Sequence, residues 1–182
     1  MQSCSTSYLP AISRRANARL LRVAGQEFLK GNHAAASSTC RTLLEADPTH
    51  LGALELMAKC LWAKQDFVAL EQATRCLIAL NPFEPGYFGL RGMALRALGR
   101  YGEATQALRR DPNSTSQLAD LEAFQSTLVR DLIEHDAVFA AQYAKSPEVA
   151  AKDKGLAPTL SSRSQSRATP KTRKSLSIRQ YN

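Results

Sequence analysis

Histidine is the side chain that most often serves as a general base or a metal ligand, and this chain has three: His33, His50 and His135. Asp131 and His135 are four apart within one predicted helix, a spacing that would supply half of a four-ligand metal site. The same spacing is typical of an ordinary intrahelical pair, and no third ligand is apparent. No Ser/His/Asp or Cys/His order stands out either. The histidines therefore predict neither a metal site nor a catalytic centre.

Cysteines and glycines are the other residues whose spacing could do chemistry. None of the four cysteines belongs to a Cys-x-x-Cys pair; they are Cys4, Cys40, Cys60 and Cys76. Free thiols in a reducing cytoplasm are therefore favoured over a zinc site. Gly86, Gly89 and Gly92 recur every third residue, but without a preceding strand or a P-loop lysine they do not predict a phosphate cradle. On one helical face they would instead admit a neighbouring helix closely. We predict no enzymatic activity, no metal and no cofactor.

The elements that carry these residues repeat along the chain. Asp47-Pro48 and Asn81-Pro82 lie 34 residues apart, and each follows two segments in which apolar residues recur three or four apart. Gly31 and Gly99 fall between the two segments, where glycine accepts the positive φ of a tight turn. Since proline cannot continue a helix, each proline marks a stop. The fixed period predicts stacked copies of one two-helix unit, and the alternative is a plain helical bundle with chance spacing.

This pattern resembles the tetratricopeptide repeat (TPR) family, whose unit is a 34-residue helical hairpin. The residues at signature positions are Gly25, Ala58, Gly92, Tyr101, Ala104, Pro48 and Pro82. The resemblance implies an all-α solenoid of about three hairpins, at residues 17–50, 51–84 and 85–112. Three features depart from the family pattern. The small residues of the first copy are one position out of step, Arg91 stands where Leu is usual, and Asp111-Pro112 follows Asn81-Pro82 by only 30 residues, which shortens the last helix by about one turn.

In this family the first helix of each hairpin lines a concave surface that binds other polypeptides. Aligning the copies on their small residues at 25, 58 and 92 places nine side chains there: Arg19, Arg22, Gln26, Lys30, Glu55, Lys59, Trp62, Met93 and Arg96. Five of the nine are cationic and one is anionic, and Trp62 would be an apolar anchor among them. The resemblance thus implies a groove for a peptide of acidic character. The alternative is that the cations are solvated surface and Trp62 is core packing.

Two further comparisons with the family concern single positions. One subclass grips the C-terminal carboxylate of chaperones with a Lys and an Asn four apart, a second Asn and a Lys/Arg pair. Arg22 and Gln26 match the first pair only approximately, and Leu56, Gly89 and Met93 replace the rest, so the resemblance does not imply a chaperone-tail receptor. His33 stands at a turn position where the family often has Tyr or Phe, which predicts a packing role for its ring.

The segments on either side of the repeats have different predicted roles. Residues 1–16 are expected to form a flexible arm, although their lack of acidic residues also resembles a transit peptide. Residues 113–145 are expected to form one capping helix, from about Thr115 to Ala144, that covers the apolar end of the stack. Its apolar stripe contains Leu118, Leu121, Leu128, Leu132 and Phe139. The rival interpretation of this helix is a homodimer interface.

Positive charge is concentrated at the C-terminal end of the sequence. The net charge is +8; residues 1–144 hold 15 Lys/Arg and 14 Asp/Glu, whereas residues 145–182 hold nine Lys/Arg and two acids. Residues 146–182 lack an apolar pattern and are predicted to be a disordered tail. Its spaced cations suit a nucleic-acid backbone or an anionic membrane surface; they are Arg163, Arg167, Lys171, Arg173, Lys174 and Arg179. A solvated tail with no dedicated ligand is the alternative.

These observations together favour a binding protein. We predict a cytoplasmic TPR-like adaptor or scaffold that holds a protein or peptide in its groove. The absence of any run of 18 apolar residues argues against a membrane span. Two other functions stay open: association with nucleic acid through the basic tail, and a small three-repeat secretion chaperone, which would have about this length. The oligomeric state is not predicted.

Overall fold

The structure is a computed structural model that describes residues 14–158, and within that range it contains helices and turns but no strand. The helices are α1 Arg14–Leu29, α2 His33–Ala46, α3 Leu51–Ala63, α4 Phe67–Leu80, α5 Pro85–Ala97, α6 Tyr101–Leu108, α7 Thr115–His135, α8 Ala137–Lys145 and α9 Pro147–Asp153, with a 3-10 turn at Pro112–Ser114 before α7. Helices α1 to α6 pack successively against one another. The predicted all-α stack of three hairpins is confirmed.

The chain divides into two compact units between Leu121 and Glu122. The first unit contains α1 to α6 and the first turns of α7, and the second contains the remainder of α7 with α8 and α9. The candidate site described below lies entirely in the first unit.

The turn within each hairpin repeats with the 34-residue period. Gly31, Gln65 and Gly99 all have positive φ, of 82°, 57° and 75°. In each turn the amide of this residue donates a hydrogen bond to the carbonyl three positions earlier, which closes the end of the first helix. These bonds, of 3.0–3.1 Å, are Gly31 to Phe28, Gln65 to Trp62 and Gly99 to Arg96. The three hairpins therefore have the same turn, and residues 34 apart are structurally equivalent.

The shared turn corrects how the first helix of the first hairpin is aligned with those of the other two. Ala24 is fully buried, as is its equivalent Ala58 at 1% exposure. Gly25 is only partly buried, and a Cβ built on it would contact nothing within 4 Å. The small residue that admits the neighbouring helix in the first hairpin is therefore Ala24, so the match of Gly25 with Ala58 and Gly92 is wrong by one residue.

In the third hairpin, glycines of the first helix lie where the short second helix and the turn after it come close. Helix α6 has eight residues, against 14 in α4, which confirms the shortening expected from the 30-residue spacing. A Cβ on Gly92 would lie 2.6 Å from Cγ of Leu108, so α6 approaches α5 closely there. A Cβ on Gly89 would collide with the carboxylate of Asp111, in the turn after α6. Gly92 thus admits a neighbouring helix, as predicted, and Gly89 admits the turn that follows it. Gly86, the third glycine of the predicted set, does neither, because it is exposed and a Cβ on it would contact only Glu84.

The beginning of α7 closes the end of the first unit. Leu121 is fully buried in a cluster with Leu95 and Leu108, and Leu118 packs against the same cluster. This part of α7 therefore covers the apolar side of the third hairpin, as expected of a capping helix.

The chain beyond Leu121 differs from the prediction of one helix followed by disorder. Asp136 has extended backbone geometry, and its Oδ1 accepts the amide of Phe139 at 2.9 Å, which ends α7 at His135 and begins α8. Helix α9 lies where disorder was predicted. Its backbone continuation is tied to α7, because Oε1 of the fully buried Gln125 accepts the amide of Ala157 at 2.8 Å, and Leu156 is 1% exposed. Most of the predicted N-terminal arm, residues 1–13, and all six tail cations lie outside the described residues.

Candidate peptide-binding surface

The first helices of the three hairpins lie side by side. Leu21 of α1 contacts α3 at Gly52, where a Cβ would be 2.9 Å from the leucine methyl group. The hydroxyl group of Tyr87 on α5 donates a hydrogen bond to Oε1 of Glu55 on α3. Helices α1, α3 and α5 therefore share one surface of the first unit.

Structural equivalence identifies which side chains occupy this surface. Three positions per helix, each three or four residues from the next, lie on the side of the helix that carries the contact residues Leu21 and Glu55. They are Leu21, Gly25 and Phe28 on α1, Glu55, Lys59 and Trp62 on α3, and Gly89, Met93 and Arg96 on α5. We call these nine residues the first-helix face.

The charge of the first-helix face is positive. Within residues 14–158 the structure shows no ion pair for Lys59, which is exposed, or for Arg96, which is half-buried. The single acid, Glu55, already accepts the hydroxyl hydrogen of Tyr87. Burial, followed by this hydrogen bond to Glu55, raises the pKa of Tyr87 to about 12, so the phenol stays protonated and keeps its role as donor. The face thus has two cations and one carboxylate, a net charge of +1.

Trp62 packs against a neighbouring ring and is also exposed to solvent. Its ring meets Phe67 edge-on at a centroid distance of 5.8 Å, yet 40% of the residue is exposed. The equivalent pair in the first hairpin is Phe28 with His33, at 5.0 Å. This contact confirms the packing role predicted for His33. An aromatic side chain that is fixed by a neighbouring ring and still exposed is the kind of group that anchors a bound peptide.

Four of the nine predicted groove residues lie elsewhere. Their equivalents in the second hairpin are Ala53, Leu56, Cys60 and Lys64, and of these Ala53 and Cys60 are fully buried where α2 packs against α3. No hairpin precedes α1 in the described part of the chain, so the corresponding side chains of α1 are exposed. These four, Arg19, Arg22, Gln26 and Lys30, form a polar end face, and Lys30 pairs with Glu27 at 2.9 Å. A polar outer surface is what a terminal repeat needs.

The alignment by turns keeps five of the predicted residues on the first-helix face: Glu55, Lys59, Trp62, Met93 and Arg96. Phe28 and Leu21 were missed because the first copy was aligned on Gly25. The 34-residue spacing of His33, Phe67 and Tyr101 at the start of the second helices would have given the correct alignment. The same shift moves the first chaperone-clamp positions onto Leu21 and Gly25, neither of which can donate a side-chain hydrogen bond.

The histidine and cysteine side chains considered above for chemistry make local contacts within the fold. Nδ1 of His135 lies 2.9 Å from the backbone carbonyl of Asp131, so this pair is a contact within α7. Burial, and then the neighbouring Cys60, raise the pKa of the Cys40 thiol to about 11, which leaves it protonated at neutral pH. In the described range no three His, Cys, Asp or Glu side chains are grouped as metal ligands would be, and no helix has the length and hydropathy of a membrane span.

Comparison with known proteins relates this geometry to solved structures. No protein-family model and no curated protein matches the sequence. The first TPR domain of RPAP3 (Spaghetti), bound to the HSP90 peptide SRMEEVD, is similar with a TM-score of 0.56 and 19% identity, over 62% of this chain and 95% of that one. MamA is similar with a TM-score of 0.54 and 16% identity, over 82% of this chain and 88% of its own. A chain of the CopN–Scc3 complex also has a TM-score of 0.54, with 13% identity, over 66% and 79%. These likenesses confirm the TPR fold.

Proposed function

We propose that this chain is a protein-interaction module that binds a polypeptide segment along the first-helix face. The observation that carries the proposal is that Lys59 and Arg96, which form no ion pair within residues 14–158, share this face with the half-exposed Trp62 on adjacent helices. Adjacent helices that present an aromatic anchor and charges can hold an extended chain without performing a reaction. The function is therefore that of an adaptor or scaffold.

The preferred ligand is an acidic peptide. Its carboxylates would meet Lys59 and Arg96, and complementary charge would raise both the association rate and the specificity. The peptide in the RPAP3 complex, SRMEEVD, contains three acidic residues. Because this chain has Leu21 and Gly25 at the first clamp positions, we propose recognition of acidic side chains along the peptide rather than of a terminal carboxylate.

Peptide-pool titration tests this function. The titration uses a chain that ends at Pro158, so that the tail cations do not compete. Without further substitution, this chain should retain an acidic pool in preference to a basic one. Lys59→Glu should weaken binding of the acidic pool by roughly tenfold, since it reverses a charge at the centre of the face. Arg22→Glu makes the same charge change on the polar end face and should leave binding nearly unaltered. Equal retention of both pools by the unmodified chain would exclude the proposal.

Polyanion binding by the C-terminal residues is a separate proposal. Residues 159–182 contain six cations and no acid, a composition that suits phosphate backbones at low salt. Ending the chain at Pro158 keeps α9 and the Gln125–Ala157 hydrogen bond. This truncation should abolish retention of DNA or RNA while peptide binding persists. Retention that survives the truncation would contradict a role for the tail.

A further inference from the structure

A cavity lies beside α5 on the side that faces the second helices. It has a volume of about 310 Å³ and is lined by Phe88, Arg91, Glu103, Gln106, Ala107 and Arg110. Of these lining residues, Arg91 also contacts Glu71 of α4. We call it the outer cavity; none of its residues belongs to the first-helix face.

Each arginine around the outer cavity is held in place by a different contact. Nε and an Nη of Arg91 lie 3.3 Å and 3.2 Å from Oε1 of Glu71. Arg100 donates to both carboxylate oxygens of Glu103, at 2.7 Å and 2.6 Å. The guanidinium of Arg110 lies 4.5 Å above the ring of Phe88. Of the three, Arg110 alone has no acidic partner within residues 14–158.

The repeat fold does not require these charges. At the equivalent positions of the second hairpin the chain has Leu54, Met57, Ala69, Gln72, Ala73 and Cys76, none of them charged. The contact equivalent to Glu71–Arg91 is Ser37–Met57, in which the hydroxyl lies 3.4 Å from the sulfur. Burying an ion pair where an uncharged contact suffices does not in general add stability. The charges around the outer cavity are therefore particular to this place in the stack and are not a requirement of the repeat.

We propose that the outer cavity takes one carboxylate side chain, of Glu or Asp, from a partner polypeptide. The volume is at the lower end of ligand pockets and suits one side chain. Glu71 is shared by Arg75 and Arg91, and Glu103 pairs with Arg100. Of the cations that line the cavity, Arg110 is therefore the one without an acidic partner within residues 14–158, and its guanidinium is available to a carboxylate. The phenyl ring pre-orients the planar guanidinium, whose fork of N–H donors matches a carboxylate.

This surface is distinct from the first-helix face, and the proposal stands whether or not that face binds a peptide. Substitutions can distinguish the two surfaces, because the cations of the first-helix face are Lys59 and Arg96, whereas the outer cavity depends on Arg110. A partner with two acidic segments could occupy both surfaces and gain avidity from the linkage.

Site-resolved NMR of the full chain tests the proposal. The probe is tetraglutamate, acetylated and amidated at its ends, and the signals are the side-chain Nε–Hε groups of Arg91 and Arg110. We expect saturable shifts of both signals with tetraglutamate and none with tetraglutamine. Arg110→Gln should weaken the response at Arg91 by about fivefold or more, since a charge-assisted hydrogen bond is lost. Arg41→Gln, the same change on the exposed surface of α2, should leave it unaltered.

Four results would overturn the proposal. Absence of saturation at Arg91 and Arg110, while the tail amides respond, would place the peptide on the tail cations only. An unchanged response in Arg110→Gln, with backbone signals that show an intact fold, would remove Arg110 from the site. Displacement of tetraglutamate by an equal or lower concentration of inorganic phosphate would assign the cavity to phosphate. Loss of the Arg91 response in Lys59→Glu would show that the first-helix face is the binding surface instead; its persistence there supports the outer cavity.

Discussion

Gly25 and Gly92 occupy helices of the same type, yet only one of them is required for packing. A Cβ on Gly25 would meet no atom within 4 Å, whereas one on Gly92 would lie 2.7 Å or less from two Leu108 carbons and 3.2 Å from the carbonyl oxygen of Ala104. We expect Gly25→Ala to raise the free energy of unfolding by about 0.5–1 kcal/mol through helix propensity. Gly92→Ala should lower it by about 1–2 kcal/mol, because overpacking outweighs the same gain. Urea denaturation measures both, and equal effects of the two substitutions would contradict the assigned packing.

Glu71 is the residue whose ionisation should affect stability most. Burial disfavours its charged form, but the hydrogen bonds and charges of Arg75 and Arg91 outweigh burial and lower its pKa. Since the folded-state pKa lies below the unfolded value, the stabilisation is present above about pH 4.5 and is lost as the pH falls through the lowered pKa. Glu71→Gln should reduce the free energy of unfolding by about 2 kcal/mol at pH 7, less than for a fully buried pair because Arg75 is 56% exposed.

The pH dependence provides the check on this pair. The difference in unfolding free energy between the unmodified chain and Glu71→Gln should be constant from pH 7 to about pH 5 and should shrink below pH 4.5. Glu103→Gln is the matched control, because Glu103 pairs with Arg100 at the surface and should contribute about 0–1 kcal/mol. A difference that does not change with pH would mean that the substitution acts through shape and not through charge.

At the scale of the helix and turn, the second hairpin has Gln65 at the turn position where the other two hairpins have glycine. Gln65 has a φ of 57°, where Gly31 and Gly99 have 82° and 75°. A side chain in this left-handed region costs about 1 kcal/mol. We therefore expect Gln65→Gly to raise the thermal midpoint, corresponding to about 0.5 kcal/mol after the greater chain entropy of glycine is subtracted. Gly31→Gln should lower stability by about 1 kcal/mol. A fall in the midpoint for Gln65→Gly would contradict the turn described.

The elements also show what could be predicted from the sequence and what could not. The period of the prolines gave the hairpins and their order, because a helix must stop at each of them. It did not give the rotation of α1 about its own axis. Two adjacent small residues, Ala24 and Gly25, compete for the same packing position, and the period of the prolines does not decide between them. One residue of shift turns a helix by about 100°, and this moved four predicted groove residues onto the end face.

At the scale of the whole chain, the second unit was the part least accessible to prediction. The stripe of Leu118, Leu121, Leu128, Leu132 and Phe139 is compatible with one long helix, and nothing in its spacing signals the break at Asp136. Residues 146–158 contain few large apolar side chains, so their composition resembles the tail that follows. Their order depends on the Gln125–Ala157 hydrogen bond, on the ion pair of Lys154 with Asp136 and on the burial of Leu156 and small residues. None of these contacts leaves a periodic pattern.

The hydrogen bond between Gln125 and Ala157 gives a prediction for the second unit. Gln125 is fully buried and accepts the amide of Ala157 at 2.8 Å. Gln125→Leu keeps the volume but leaves that amide without its acceptor, at a cost of about 1–3 kcal/mol. Hydrogen exchange should therefore accelerate in α9 and at residues 154–158 by roughly tenfold or more, while protection of α3 to α5 in the first unit stays the same. Gln142→Leu, an exposed change on α8, should alter neither region. Faster exchange throughout α3 to α5 in Gln125→Leu would show that the loss spreads through the entire fold, and the local role of Gln125 would then be wrong.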